Sequence, residues 1–194
     1  MIKAVILDLN GVVVLGEYTS KRFERDYGVP YEEFFKVLKE ILKVVNKPGA
    51  PSIFSLFTPH LNYWEVDLSE EEFLNYWLSG EDINKELLEL LDKIKDQGIK
   101  VFSLSNNFRE RTVYYREHFP EMFETFDKSY FSWETGFPKP DKKAFLNVLA
   151  ENDLKPEECL FFDDAEKNVK VAKELGLKAE LYQDVEQVKV MLSL

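Results

Sequence analysis

The chain has 194 residues, of which 45% are hydrophobic and 31% are charged, and its 25 basic and 36 acidic residues give a net charge of −11. This length fits one domain, or one domain with an insertion, and the apolar content is enough for a hydrophobic core, which excludes a wholly disordered chain. The negative charge argues against broad binding of nucleic acid or of an anionic membrane surface, because both need clustered lysine and arginine.

The single cysteine, Cys159, excludes an internal disulfide and a cysteine-based zinc site. From the amino terminus the chain reaches the acidic Asp8 too early for the apolar region of a signal peptide. The continuous apolar runs are also far shorter than a bilayer span. We therefore expect a cytoplasmic protein.

The first predicted element is a strand over Lys3 to Asp8, whose continuous apolar run is typical of a parallel strand buried on both faces. A polar turn to Gly11 and a second apolar run, Val12 to Leu15, follow. The pattern is then helical up to about Gly80: apolar residues at three- and four-residue spacing predict a helix over 32–45, and a capping box at 69–72 predicts the start of another. With no convincing strand signal, we interpret residues 16–81 as an all-helical insertion.

After Gly80 the pattern alternates between strands and helices. It predicts strands over 99–104, 127–131, 159–162 and 178–182 and helices over 108–118, 141–151, 166–175 and 185–192. A further helix, capped by Asp82, ends at Gly98. This alternation predicts an α/β fold: a Rossmann-like parallel sheet covered by helices, formed by residues 1–15 and 82–194.

Polar side chains gather where the predicted parallel strands end and in one loop near them. They are three carboxylates, a hydroxyl, an amide and a lysine: Asp8, Asp163, Asp164, Ser105, Asn106 and Lys139. Each alone is typical of a turn or a helix cap. Because ligands bind beyond the carboxyl ends of parallel strands, we expect these side chains to meet in one cleft.

Three carboxylates in one cleft repel one another. At an effective dielectric constant of 20, two unit charges 4 Å apart cost about 4 kcal/mol. Lys139 offsets one charge, and a divalent ion would offset the rest. Oxygen ligands favour Mg²⁺, which usually takes one or two carboxylates and leaves a carboxylate oxygen free to attack phosphorus.

Four segments resemble, in order and spacing, the four motifs of the haloacid dehalogenase-like (HAD-like) hydrolase superfamily. They are Asp8 to Gly11, Val101 to Asn107, Gly136 to Asp141, and Leu160 to Asp164. The insertion between the first two motifs resembles the subclass with an α-helical cap. The Asp163–Asp164 pair with Asn168 after it is similar to the phosphatase branch.

The resemblance implies a Mg²⁺-dependent phosphatase that acts on a small phosphorylated substrate through an aspartyl-phosphate intermediate. Asp8 would be the nucleophile, and Ser105, the backbone N–H of Asn106, and Lys139 would hold the phosphate. Mg²⁺ would bind Asp8, the backbone carbonyl of residue 10 and Asp164, with Asp163 acting through water or as an alternative ligand. Glu17 and Tyr18, just past the flap formed by Val12 to Leu15, are candidates for substrate specificity.

Position 10 departs from the family pattern. The family's phosphatases carry a second aspartate there, which protonates the leaving group and then activates water, and the amide of Asn10 can do neither. We expect Mg²⁺ and phosphate binding to survive and turnover to fall by roughly 10²–10⁴-fold.

Three explanations of Asn10 stay open: an engineered Asp-to-Asn variant, a natural enzyme for a good leaving group such as an acyl or aryl phosphate, and a family member that binds ligand without catalysis. The rival enzyme is a metal-independent 2-haloacid dehalogenase, and that branch does not carry the pair seen at Asp163 and Asp164.

The insertion is rich in aromatic residues, among them Phe34, Phe35 and Trp77. We expect most of them to form a small helical core and some to face the cleft and select the leaving group. Arg109 and Arg111, which follow the second motif, are expected to be solvated.

Overall fold

The computed structural model of the chain describes residues 1–192, so positions 193 and 194 at the end of the predicted core lie outside the described residues. The strands are β1 (Ala4–Leu7), β2 (Val14–Gly16), β3 (Glu81–Ile83), β4 (Lys100–Ser105), β5 (Lys128–Phe131), β6 (Cys159–Asp163) and β7 (Lys178–Leu181). Five of them form one parallel sheet in the order β5-β4-β1-β6-β7. This confirms the predicted parallel α/β sheet.

The helices are α1 (Thr19–Tyr27), α2 (Tyr31–Val45), α3 (Ile53–Tyr63), α4 (Glu70–Leu78), α5 (Lys85–Asp96), α6 (Arg109–His118), α7 (Pro120–Thr125), α8 (Ser132–Thr135), α9 (Lys142–Glu151), α10 (Glu166–Glu174) and α11 (Val185–Leu192), with a 3₁₀ turn over Pro156–Glu158. None of the helices within residues 1–192 combines the length and the apolar character that crossing a membrane requires.

The central strand β1 is buried on both faces of the sheet. Val5 and Leu7 point into one apolar cluster with helices α5 and α11, and Ala4 and Ile6 point into the other with α9 and α10. This two-sided burial explains why the strand is a continuous apolar run rather than an alternating one. The parallel pairing of β1 with β4 and β6 places the carboxyl ends of these three strands side by side at one edge of the sheet.

Helices α1 to α4 enclose a cluster of aromatic rings. Phe34 stands at its centre, with ring centroids 4.5 Å from Phe23 and 5.2 Å from Phe57. The ring of Trp77 also lies 5.4 Å from that of Phe108, at the start of α6, so the cluster continues onto a helix that covers the sheet. The elements within residues 19–78 are all helices, as predicted, but the two ends of the predicted insertion, Gly16 and Glu81, lie in strands. The boundaries of the insertion as a separate domain stay a prediction.

The joint between insertion and sheet differs from the prediction. Residues 81–83 form a strand that pairs antiparallel with β2, so Asp82 does not cap a helix. The cap of α5 is Asn84, whose side-chain oxygen accepts from the N–H of Leu87 at 3.2 Å. Strands of three residues are too short to show a period of two, so no sequence pattern predicts this two-stranded ribbon of β2 and β3.

Candidate active site

Three carboxylates converge beyond the carboxyl ends of the central strands. Asp8 directly follows β1, and its N–H donates to the carbonyl of Phe162 on β6 at 2.9 Å. Asp163 ends β6, and Asp164 follows it. One carboxylate oxygen from each of the three acids lies within 4.8 Å of the others. The sequence predicted this convergence from strand ends alone.

Lys139 is buried between two of these acids. Its Nζ lies 2.8 Å from Asp8 Oδ1 and 2.6 Å from Asp163 Oδ2, and its side chain is 1% exposed. Burial alone would lower the pKa of Lys139, but the charges of Asp8 and Asp163 outweigh that effect and raise it. The ammonium group therefore remains protonated and forms the positive centre of the cleft.

One lysine does not neutralise three carboxylates, so the cluster keeps two negative charges when all are ionised. Burial raises the pKa of Asp8 to about 6, with Asp163 and Asp164 adding to the rise and Lys139 opposing it. Partial burial, and then the charge of Asp163, also raise the pKa of Asp164. Both shifts show that the site disfavours its own negative charge.

The residues present fit a small divalent cation. Asp8 Oδ1 is paired with Lys139 Nζ at 2.8 Å and has no second partner within residues 1–192, so one of its two acceptor positions is open. Space beside Asp164 depends on Gly11, where φ is +86° and a Cβ atom would lie 2.6 Å from Asp164 Oδ2. Oxygen donors of this kind suit Mg²⁺, whose two charges equal the deficit of the cluster.

Asp163 and Asp164 are adjacent in sequence but have different surroundings. Both oxygens of the buried Asp163 accept hydrogen bonds, from Lys139 Nζ, Asn168 Nδ2 and the N–H of Ala165. Asp164 is exposed and lines the cavity beside the cluster. Asp163 is therefore held by protein donors, and Asp164 has the carboxylate that is open to a ligand.

Ser105 and Asn106 lie where the second motif was predicted to hold a phosphate. The Ser105 hydroxyl is buried and finds no hydrogen-bond partner in the described part of the chain. The Asn106 side chain has a task that the sequence did not reveal: Nδ2 donates to the carbonyl of Lys139 at 2.7 Å, and Oδ1 accepts from the N–H of Lys139 at 2.7 Å. This amide fixes the backbone from which Lys139 enters the cleft.

Asn10 is held by a network that sequence reasoning missed. Its side-chain oxygen is placed 2.7 Å from the Tyr115 hydroxyl, which is also 2.7 Å from Glu81 Oε2. Burial raises the pKa of Tyr115, so the phenol keeps its one proton. That proton serves one acceptor only, and the carboxylate of Glu81 is the stronger.

The two ends of an amide are assigned from their partners. With the Asn10 NH₂ group turned toward Tyr115, the two short contacts no longer compete for one proton: Asn10 donates to Tyr115, and Tyr115 donates to Glu81. Glu81 also pairs with Arg111. The surroundings of position 10 thus complement an amide.

Arg111 corrects an expectation. It was predicted to be solvated, but its side chain is 16% exposed and pairs with Glu81, which is 8% exposed. Arg109 is exposed, as expected, and pairs with Glu110. Because Glu81 precedes Arg111 by 30 residues and lies in the unpredicted ribbon, no local pattern signalled the pair.

Glu17 and Tyr18 border the site without touching the acidic cluster. Both line a cavity of about 390 Å³ between the insertion and the strand ends, whose lining also includes Asn10 and Asp164. The Glu17 carboxylate is engaged by Arg25 at 2.7 Å, and Tyr18 is 64% exposed. Their predicted position at the cleft is observed, whereas their role in specificity stays a prediction.

Known proteins resemble the chain over almost all of its length. A family model for haloacid dehalogenase-like hydrolases matches residues 2–176. A phosphorylated carbohydrates phosphatase of Thermotoga maritima is 25% identical over 182 residues, which cover 91% of this chain and 82% of that protein.

Solved structures show the same similarity. A HAD family enzyme from Bacteroides thetaiotaomicron superposes with a TM-score of 0.83 and 25% identity over 98% of both chains. A magnesium complex of that enzyme superposes with a TM-score of 0.77 and 25% identity, covering 94% of this chain and 93% of the other. A dehalogenase that is 14% identical superposes with a TM-score of 0.74, covering 100% of this chain and 98% of the dehalogenase chain. The fold by itself therefore does not distinguish a phosphatase from a dehalogenase.

The charge deficit predicts that removing one carboxylate stabilises the metal-free protein. In excess chelator at pH 8, Asp164→Asn should raise the melting temperature, but Asp164 is exposed and solvent screens its charge, so the rise should be at most about 2 °C, well under ~1 kcal/mol. Since the pKa of Asp164 is raised in the folded state, its ionisation opposes folding above that pKa, and the gain should shrink as the pH falls toward 4.

Mg²⁺ should raise the melting temperature of the unmodified chain, and it should raise that of Asp164→Asn much less. Asp67→Asn, an exposed change between α3 and α4, is the matched control and should alter neither quantity. A metal-free Asp164→Asn protein that melts below the unmodified chain at pH 8 would contradict the charge argument.

The two hydrogen bonds between the Asn106 side chain and the Lys139 backbone should stabilise the fold. Asn106→Ala removes two hydrogen bonds and leaves the backbone groups of Lys139 without these partners, so the free energy of unfolding in urea should fall by about 1–3 kcal/mol. Asn147→Ala, which removes one exposed hydrogen bond on α9, should cost under about 0.5 kcal/mol. An equally small loss of unfolding free energy in both variants would show that the hydrogen bonds of Asn106 do not stabilise the fold.

Proposed function

Because the chain belongs to the haloacid dehalogenase-like hydrolase family, we propose that it is a Mg²⁺-dependent phosphatase that transfers the phosphoryl group of a small phosphorylated metabolite to Asp8. The observation that carries this proposal is the acidic cluster with its single buried lysine, which lacks two positive charges. A phosphatase among the relatives and a magnesium complex of a similar enzyme support it.

Asp8, Asp164 and the backbone carbonyl of Asn10 would hold Mg²⁺ directly. Asp163 would act through water, because its oxygens already accept hydrogen bonds from protein donors. When bound, the ion supplies positive charge to the phosphoryl oxygens and relieves the repulsion among the carboxylates. The helical insertion would serve as the cap that covers the site and excludes water.

The residues of the chain would perform the first step as follows. Lys139 and the free Ser105 hydroxyl bind phosphoryl oxygens, which positions the phosphorus atom for attack by the Asp8 carboxylate. A bond forms between Asp8 and phosphorus, and the bond from phosphorus to the leaving oxygen breaks with its electron pair on that oxygen. The product is an aspartyl phosphate.

Asn10 makes both halves of the reaction harder. It has no proton to give the leaving oxygen and cannot accept one from the water that hydrolyses the aspartyl phosphate. The fit of its amide to Tyr115 supports a chain adapted to asparagine over an isolated engineered change. The same residue favours a second candidate, a protein that binds phosphate compounds and does not turn them over. A metal-independent dehalogenase is disfavoured by the paired acids at 163 and 164.

Pre-steady-state kinetics with 4-nitrophenyl phosphate and Mg²⁺ test this proposal. An aryl leaving group needs little acid assistance, so about one nitrophenol per chain should be released quickly, followed by slow turnover limited by hydrolysis of the aspartyl phosphate. Asn10→Asp should raise steady-state turnover by roughly 10²–10⁴-fold and remove the burst. Asp8→Asn should abolish both phases.

Two other outcomes would decide against it. Absence of Mg²⁺-dependent release from the unmodified chain and from Asn10→Asp would refute the phosphatase. If inorganic phosphate with Mg²⁺ still raised the melting temperature in that case, the binding protein would be the correct candidate.

A further inference from the structure

The cavity beside Asn10 has an apolar wall that the aromatic cluster of the insertion leaves partly uncovered. The apolar face of helix α2 is wide. At its centre, Phe34, Ile41 and Val45 are buried in the cluster. At its edge, Phe35, Leu38 and Leu42 are partly exposed and line the cavity, and Leu38 and Leu42 also pack against the cluster. The edge of this face therefore gives the cavity its apolar wall.

The apolar lining continues on neighbouring segments. Leu15, from β2, and Tyr18, just before α1, line the same cavity and are 44% and 64% exposed. Large apolar side chains that stay partly exposed around one concave space, next to reactive groups, are typical of a pocket for an apolar ligand group.

The charged groups of the cavity are mostly committed to one another. Glu81 is paired with Arg111, and Glu17 is paired with Arg25. The hydroxyls of Thr19 and Ser20 are further polar groups of the lining. A polyol in this space would leave several hydroxyl groups facing carbon without hydrogen bonds, which is unfavourable.

The chemistry at position 10 points to the same kind of leaving group. Without an acid at Asn10, the oxygen must leave as an anion, and a phenol ionises near pH 10, whereas an aliphatic alcohol ionises several pH units higher, about as weakly as water. We infer that the substrate class is an aryl phosphate, a phosphorylated phenol whose ring packs against Phe35 and Leu38. This inference rests on the proposed phosphatase function and names its substrate class.

The reaction balances without a further reactant. Asp8 forms a bond to phosphorus, and the bond from phosphorus to the phenolic oxygen breaks with its electron pair on that oxygen. The phenolate takes a proton from solvent. Water then attacks the phosphorus of the aspartyl phosphate, gives its proton to solvent, and releases inorganic phosphate and Asp8.

A substrate series separates ring binding from leaving-group chemistry. The initial phosphoryl-transfer rate is measured with Mg²⁺ for two aryl esters, phenyl and 2-naphthyl phosphate, for glycerol phosphate, a polyol ester, and for benzyl and acetyl phosphate. Benzyl phosphate has a ring on an aliphatic alcohol. Acetyl phosphate has a good leaving group but no ring. We expect 2-naphthyl phosphate to exceed phenyl phosphate about 5-fold or more in specificity constant, and both to exceed benzyl and glycerol phosphate at least about 100-fold.

Variants locate the ring. Phe35→Ala and Leu38→Ala should each raise KM for 2-naphthyl phosphate about 5-fold or more and leave acetyl phosphate cleavage unchanged. Val44→Ala, which trims an exposed apolar side chain of the same helix outside the cavity lining, is the matched control and should change neither.

Cleavage of glycerol phosphate as fast as that of the aryl esters, or an unchanged KM in both cavity variants, would overturn the aryl assignment while leaving the phosphatase intact. If neither the unmodified chain nor Asn10→Asp cleaved any member of the series, acetyl phosphate included, the phosphatase proposal itself would fall, and the substrate class with it.

Discussion

The constraint on which this site depends is an excess of negative charge that the protein does not cancel by itself. Parallel strands bring Asp8 and Asp163 to one sheet edge, with Asp164 beside them, and the chain supplies one buried ammonium group, Lys139, against three carboxylates. Burial makes the remaining repulsion stronger than it would be in water. The two charges of a divalent cation would balance this excess, and the three carboxylates could hold one.

The sequence predicts the parts of this arrangement that follow from strand ends. A strand buried on both faces is recognisable from its continuous apolar run, and the polar residue that ends it must lie at the carboxyl edge of the sheet. For this reason the sequence predicts that Asp8, Ser105 and Asp163 lie together, although they are far apart in the chain. Short elements gave no such signal: the three residues of β3 made Asp82 look like a helix cap, while Asn84 has that role.

Roles that depend on hydrogen-bond partners could not be predicted. Asp163 and Asp164 are identical in sequence terms, yet one is fully engaged by protein donors and the other is open to the cavity. Tyr115 meets Asn10 across 105 positions, and only the folded chain shows that the Tyr115 hydroxyl lies between an amide and a carboxylate. Sequence motifs identify which residues converge, whereas the donors around each residue decide what its side chain is free to do.

Asn10 and the apolar face of α2 come from unrelated parts of the chain, and each limits the leaving group in a different way. The amide limits its chemistry, because the oxygen must carry negative charge without receiving a proton from position 10. The wall formed by Phe35, Leu38 and Leu42 limits its polarity, because hydroxyl groups placed there lose hydrogen bonds to water. A phenol meets both limits at once, since its ring is apolar and the same ring delocalises the charge left on the departing oxygen.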